Sequence, residues 1–219
     1  KLLFDQQVRG FLLVVLLVSV AMAFWLVERR DIGLAEALTL TAFNTVSVMT
    51  TTGFATEDYT AWGPGAVGVF LLLMFVGGCS GSTSGSIKIY RFQILLQIVR
   101  AHVKRLFSPH RVVPLRYNRR VVPDDVPYSI LAFLVVFVAT IGLFTMLLSL
   151  LELDIVTAFS ASVTAITNVG PGFGPTIGPA GNFELLPDAA KWLLATAMLA
   201  GRLEVLALLV VFDVDFWRT

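Results

Sequence analysis

Residues 10–27 contain no charged side chain and end at Glu28-Arg29-Arg30-Asp31. A helix needs about 20 apolar residues, at about 1.5 Å each, to cross about 30 Å of hydrocarbon. Three further stretches qualify or nearly qualify: residues 62–106, interrupted near their middle, residues 127–151 and residues 189–212. Inside a bilayer no water satisfies the backbone, so such runs are restricted to helices. Composition agrees, with 57% hydrophobic and 14% charged residues, where soluble domains carry about 25% charged residues. The net charge of +1 gives no case for nucleic acid, and the single cysteine, Cys79, excludes an internal disulfide. The chain opens at Lys1 and runs straight into apolar sequence without a small-residue cleavage site. Missing upstream material is therefore expected.

Two other apolar segments are too short or too polar to span. Residues 34–49 include Thr39, Thr41, Asn44, Thr45 and Ser47, and residues 155–167 include Thr157, Ser160, Ser162 and Thr164. Apolar stretches of about 10–14 residues are often re-entrant. Each is followed by a glycine-bearing strip: Thr50-Thr51-Thr52-Gly53-Phe54-Ala55, then Asn168-Val169-Gly170-Pro171-Gly172-Phe173-Gly174. The order long helix, short helix, glycine strip, long helix thus occurs twice, and Thr41-Ala42-Phe43 reappears as Thr157-Ala158-Phe159. Internal repeats are common in transport proteins; chance likeness of two apolar segments is the competing explanation. The expected fold is all-α and membrane-embedded. It has two repeats of spanning helix, re-entrant pore helix with filter loop, and spanning helix. The repeats occupy residues 1–106 and 127–219, and a basic linker, residues 107–126, joins them.

Charge suggests the orientation. From Tyr59 to Pro123 there is no acidic residue, while Lys88, Arg91, Arg100, Lys104, Arg105, Arg111, Arg116, Arg119 and Arg120 fall within that span. Lys- and Arg-rich loops stay cytoplasmic, which puts the linker and both termini inside and the glycine strips outside. Acids such as Glu36, Glu57, Asp58, Asp154 and Asp188 then surround the outer mouth, where they would concentrate cations. Ordinary solvated charge explains each of them singly.

Non-helical backbone at membrane depth must be buried in protein or line a cavity. The carbonyls of a strip such as Thr51-Thr52-Gly53-Phe54 lack helical partners, and around a pore they can replace the water shell of a cation. Glycine permits backbone angles that turn neighbouring carbonyls the same way. The short helix ahead of each strip would aim its partly negative C-terminus at the pore. A pair of ordinary external turns is the plain alternative.

At these residues the chain resembles the Trk/Ktr/HKT superfamily of potassium transporters, and within it the last two repeats of the bacterial Trk-type membrane subunit. The resemblance rests on Thr50-Thr51-Thr52-Gly53-Phe54, Asn168-Val169-Gly170-Pro171-Gly172-Phe173-Gly174, Gly77-Gly78-Cys79-Ser80-Gly81-Ser82-Thr83-Ser84-Gly85 and Gly201-Arg202-Leu203-Glu204. It implies K⁺ uptake across a bacterial inner membrane, with K⁺ as the transported ion and no cofactor. The implied filter comprises Thr51, Thr52, Gly53, Phe54, Asn168, Val169, Gly170 and Pro171. K⁺ would sit at the carbonyls of Thr51, Thr52, Gly53, Asn168, Val169 and Gly170. Four repeats surround one pore in this superfamily, so two implies a missing N-terminal half. A homodimer, lipid contact and a cytoplasmic nucleotide-binding regulatory ring are implied too. Glycine at the key strip position is associated with K⁺; Na⁺ permeability stays open.

Residues 77–86 hold four glycines and five Ser or Thr, so they are expected to unwind. By resemblance, Gly77, Gly78, Cys79, Ser80, Gly81, Ser82, Thr83, Ser84 and Gly85 form an intramembrane gate below the filter. Close helix packing by small residues is the alternative. Arg202 lies inside an apolar span, where a charge is expensive and commonly functional. The resemblance has it reaching the gate from below the filter; neutralisation by Glu204 is the rival. Lys88 and Arg91 read as side chains that snorkel to the cytoplasmic interface. Trp25, Tyr59, Trp62, Tyr128, Trp192 and Trp217 read as interface anchors. His102 and His110 have no second ligand type beside them, so no metal site is expected. Two other function classes stay open: a membrane enzyme using Cys79 or a loop serine, and a non-conducting anchor for a cytoplasmic regulator.

Overall fold

Two helices set the long dimension of the molecule. In α1 (Gln6–Arg30) the Asp5 carboxylate caps the first turn by accepting from the Gln7 N–H, and Asp31 ends the helix in the left-handed region. The second long helix, α5 (Asp125–Ser149), is equally apolar. Each has 25 residues, or about 37 Å of rise. Their apolar surfaces are not hidden: Leu12, Leu16, Phe24, Val135, Val138 and Met146 are all exposed. Water would not tolerate such continuous surface, and lipid does.

The computed structural model describes residues 4–108, 113–174 and 176–203. Between the long helices lie α2 (Leu34–Met49), α3 (Pro64–Phe75) and α4 (Ile89–Phe107); α6 (Ile155–Thr167) and α7 (Asp188–Arg202) follow α5. The short helices α2 and α6 coincide with the two segments expected to be too short to span. The expected second span is divided into α3 and α4, with residues 78–86 outside any helix. Only the first part of the expected fourth span, α7, falls within the described residues.

The fold departs from a purely helical reading at two small ladders. The parallel pair β1 (Val76–Gly77) and β2 (Ile87–Lys88) closes the base of the 78–86 loop. In the linker, β3 (Arg116–Tyr117) and β4 (Arg120–Val121) form an antiparallel hairpin. Asn118 and Arg119 turn it at positive φ, the geometry tight hairpins require.

α1 packs on α2 and α2 on α3; α5 packs on α6 and α6 on α7. The polarity is inside out. Thr41, Asn44, Thr45 and Ser47 of α2 and Ser160, Ser162, Thr164 and Thr167 of α6 are buried, while the lipid-type surface is outside. An aromatic cluster joins the two halves. Tyr59 stacks on Phe70 with centroids 4.1 Å apart, and meets Phe173 edge-on at 6.5 Å. The reading of Tyr59 and Trp62 as interface anchors is thereby corrected: they are 1% and 2% exposed, because a 3₁₀ turn, Tyr59–Trp62, folds them under α3. Trp25 carries the Arg29 guanidinium over its ring at 4.4 Å. Tyr128 and Trp192 do stay exposed near helix starts. Trp217 lies outside the described residues.

Phe70 is fully buried in that cluster. Phe70→Ala is expected to destabilise the protein by about 3 kcal/mol, read as a lowered midpoint of thermal unfolding in detergent.

Candidate ion pathway

Each short helix ends in an abrupt change of backbone direction. After α2, Thr51 lies at φ 56° and Gly53 at φ 81°; after α6, Asn168 lies at φ 59° and Gly170 at φ 117°. Both strips thus place a left-handed residue, one intervening residue, and a left-handed glycine. A β-branched residue at positive φ is a genuine outlier and needs its surroundings to hold it, at about 1–3 kcal/mol. Alternation between the two hands of φ turns successive peptide planes over.

The hydrogen bonds at the two helix ends match as well. Thr52 N–H donates to the Ser47 carbonyl at 2.9 Å, and Val169 N–H donates to the Thr164 carbonyl at 3.2 Å. One residue on, Gly53 N–H leans on the same Ser47 carbonyl at 3.5 Å, and Gly170 N–H donates to Thr164 Oγ1 at 2.9 Å. The strips also touch each other. A Cβ built on Gly53 would overlap the Val169 carbonyl oxygen and lie 3.3 Å from Pro171 Cδ, and one on Gly170 would meet Gly53 Cα at 3.7 Å.

The 78–86 loop packs against both helix ends. Gly85 N–H donates to Thr51 Oγ1 at 3.0 Å. A Cβ on Gly85 would overlap the Thr167 carbonyl, and Ser86, at φ 60°, donates to the Met74 and Thr167 carbonyls. The loop closes on itself through Gly78 N–H to Ser84 Oγ at 2.9 Å and Ser82 Oγ to the Cys79 carbonyl at 2.6 Å. Residues Gly81, Ser82, Thr83, Ser84, Gly85 and Ser86 line a cavity together with Lys88, Gly201 and Arg202. Gly201 is where α7 crosses α6: a Cβ there would overlap the Ile166 carbonyl.

Residues 1–217 match the family TrkH, described as "Cation transport protein". The chain belongs to the TrkH family. It is similar to the Trk system potassium uptake protein TrkI of Halomonas elongata, with 50% identity over 99% of this chain and 44% of that protein. It is 33% identical to the Trk system potassium uptake protein TrkG of Escherichia coli, over 98% of this chain and 44% of that protein. Among solved structures, the potassium transporter TrkH from Vibrio parahaemolyticus superposes with a TM-score of 0.89 at 30% identity, covering 98% of this chain and 45% of that one. The chain thus spans less than half the length of these relatives.

Within this TrkH-family fold, Gly53 meets Val169, Gly170 and Pro171 where the strips touch, and Thr51 and Asn168 both border Gly85 of the loop. Thr52 and Phe54 line an apolar groove with Phe43, Val46 and Thr50, and Phe54 is 71% exposed. Among the loop residues, Gly77 backs onto the Gly85 carbonyl. Cys79 and Ser80 lie on the far side of the loop, where Ser80 N–H donates to Gln7 Oε1 at 2.6 Å. Arg202 does line the loop cavity; Glu204 lies outside the described residues.

Some placements were not visible in the sequence. Lys88 does not snorkel. Its ammonium donates to the carbonyls of Ser82 and Ser84 and to Ser84 Oγ, so it staples the loop. Arg91 lies over the Phe133 ring, 3.8 Å from the centroid. The linker hairpin grips the start of α1: Tyr117 Oη and Asn118 Nδ2 both donate to the Asp5 carboxylate, at 3.1 and 3.2 Å. Burial pushes the Tyr117 phenol up to about 12. Three of the acids assigned to the outer mouth have local partners. Glu57 pairs with Arg30 at 3.0 Å, Asp188 with Lys191 at 3.1 Å, and Asp154 caps α6 by accepting from Thr157 N–H. Hydrogen bonds from the Thr157 hydroxyl and from its N–H hold the Asp154 carboxyl below its usual range.

The Gly201 crossing makes a paired prediction. Gly201→Ala must push α7 off α6 and should destabilise by about 1–3 kcal/mol. Gly142→Ala, in α5 with nothing within 4 Å of the added Cβ, should be neutral or stabilising by up to about 1 kcal/mol. Thermal melts of the two variants in detergent should move in opposite directions.

Proposed function

We propose that this chain supplies half of a K⁺-conducting pore across the bacterial inner membrane. The observation that carries the reading is the matched backbone reversal at Thr51/Gly53 and Asn168/Gly170, in strips that abut. On this reading each strip lends carbonyls, from Thr51, Thr52 and Gly53 and from Asn168, Val169 and Gly170, to a shared axis. K⁺ enters by exchanging its water shell for those oxygens. The C-terminal ends of α2 and α6 add partial negative charge at the same point. Phe54 and Pro171 continue the strips outward. The two halves, residues 1–106 and 127–219, act as pore-loop repeats in which α2 and α6 are re-entrant. A further pair of such repeats completes the ring and covers the apolar groove at Phe43, Val46 and Phe54.

The loop from Gly77 to Ser86 serves as the gate. It sits against both helix ends, stapled by Lys88, and Arg202 shares its cavity. A guanidinium there opposes the passage of cations. The basic linker, with its hairpin on the first turn of α1, faces the cytoplasm. It offers a surface for a regulatory ring, and the whole subunit pairs as a homodimer.

The decisive test is tracer uptake in liposomes by the assembled pore containing all four repeats. Gly53→Asp puts a carboxylate where not even a Cβ fits and should abolish Rb⁺ uptake; normal uptake in that variant would overturn the filter. Arg202→Ala, and deletion of residues 81–84, should each raise flux. Unchanged flux in a folded deletion would reduce the loop to a packing element.

A further inference from the structure

The strips are anchored at their outer ends as well as their inner ones, and by the same device. In the first half Asn44, about one turn before Ser47 on the same face of α2, reaches across to Thr56. Thr56 N–H donates to Asn44 Oδ1 at 3.3 Å, and Asn44 Nδ2 donates to Thr56 Oγ1 at 2.8 Å and to the Leu40 carbonyl at 2.8 Å. In the second half Ser160 performs the same span to Phe173. Phe173 N–H donates to Ser160 Oγ at 3.1 Å, and Ser160 Oγ lies 3.2 Å from the Phe173 carbonyl, to which it donates. Asn44 is 0% exposed and Ser160 2% exposed. In both halves a buried polar side chain of the short helix therefore takes the main-chain N–H at the far end of its strip. The near end is held by Ser47 and Thr164, as described above.

We infer that Asn44, Ser160 and Thr164 are positioning residues that set ion selectivity, an inference that rests on the strips being the filter. Each strip is a short stretch of backbone with no ladder of its own, pinned at two points to one rigid helix. The near pins fall on the left-handed glycines Gly53 and Gly170 and on the residues just after Thr51 and Asn168, and the left-handed conformation is unfavourable for the β-branched Thr51 unless something holds it. Removing a pin leaves a buried N–H unpaired and lets the strip relax toward commoner angles. The carbonyls would then adjust to ions of different size instead of demanding one, so the variant should lose discrimination before it loses conduction. A role limited to stability predicts something else: less folded protein, with unchanged preference in what remains.

The test is the ratio of Rb⁺ to Na⁺ uptake per folded transporter in liposomes, measured in the four-repeat assembly. Thr164→Val keeps the shape and deletes the hydroxyl that accepts from Gly170 N–H; Thr164→Ser keeps the hydroxyl. The ratio should fall about tenfold in Thr164→Val, the effect of one lost buried hydrogen bond, and stay within about twofold of the parent in Thr164→Ser. Ser160→Ala, which removes a single oxygen, should behave like Thr164→Val. Parental ratios in both Thr164→Val and Ser160→Ala would overturn the inference while leaving the filter intact. A parent protein that takes up Rb⁺ and Na⁺ alike would instead remove the filter reading beneath it.

Discussion

A threonine at positive φ directly after a helix is not a conformation that local preference selects. Thr51 occupies it, Asn168 matches it in the second half, and a glycine two residues on repeats the reversal in each. Asn168 caps its helix in a way Asn commonly does, whereas at Gly53 the strips come close enough to demand glycine. With the Val169 carbonyl against Gly53, no side chain larger than hydrogen fits there. Buried hydroxyls and amides are expensive unless they are satisfied, and here several of them are committed to strip backbone.

The rest of the molecule supports that meeting point. Gly85 and Gly201 allow the loop and α7 to reach the carbonyl end of α6. The Tyr59, Phe70 and Phe173 cluster ties the far side of both strips into one apolar core. Small residues permit close backbone approach where lipid offers no hydrophobic drive for helix association. Lys88 places its charge on the loop's own carbonyls. The loop is thereby held by an interaction that can be exchanged for solvent, unlike the packed glycines at its two ends.

Much of this was legible in the sequence because the governing constraints are local. The limits of α2 and α6 follow from polar residues flanking a short apolar run and from glycine density beyond it. The break between α3 and α4 follows from four glycines in ten residues. Partner choice was not legible. Lys88 reads as an interface lysine by its neighbours, and its true partners come from a loop folded back by the β1/β2 pair. Tyr59 and Trp62 sit at a span end in sequence, and a single 3₁₀ turn buries them. The anchors at Asn44 and Ser160 depend on contacts across twelve or thirteen residues that no periodicity encodes. The same holds for the hairpin's grip on Asp5, which spans more than a hundred residues.

If the strips around Gly53 and Gly170 form the filter, they bind a dehydrated cation through their main-chain oxygens. Anomalous diffraction from crystals of the four-repeat assembly grown in Rb⁺ tests it most directly. An anomalous peak is expected between the two strips, within coordination distance of carbonyls from Thr51 to Gly53 and from Asn168 to Gly170. A peak absent from that position, with Rb⁺ found elsewhere along the pathway, would contradict it.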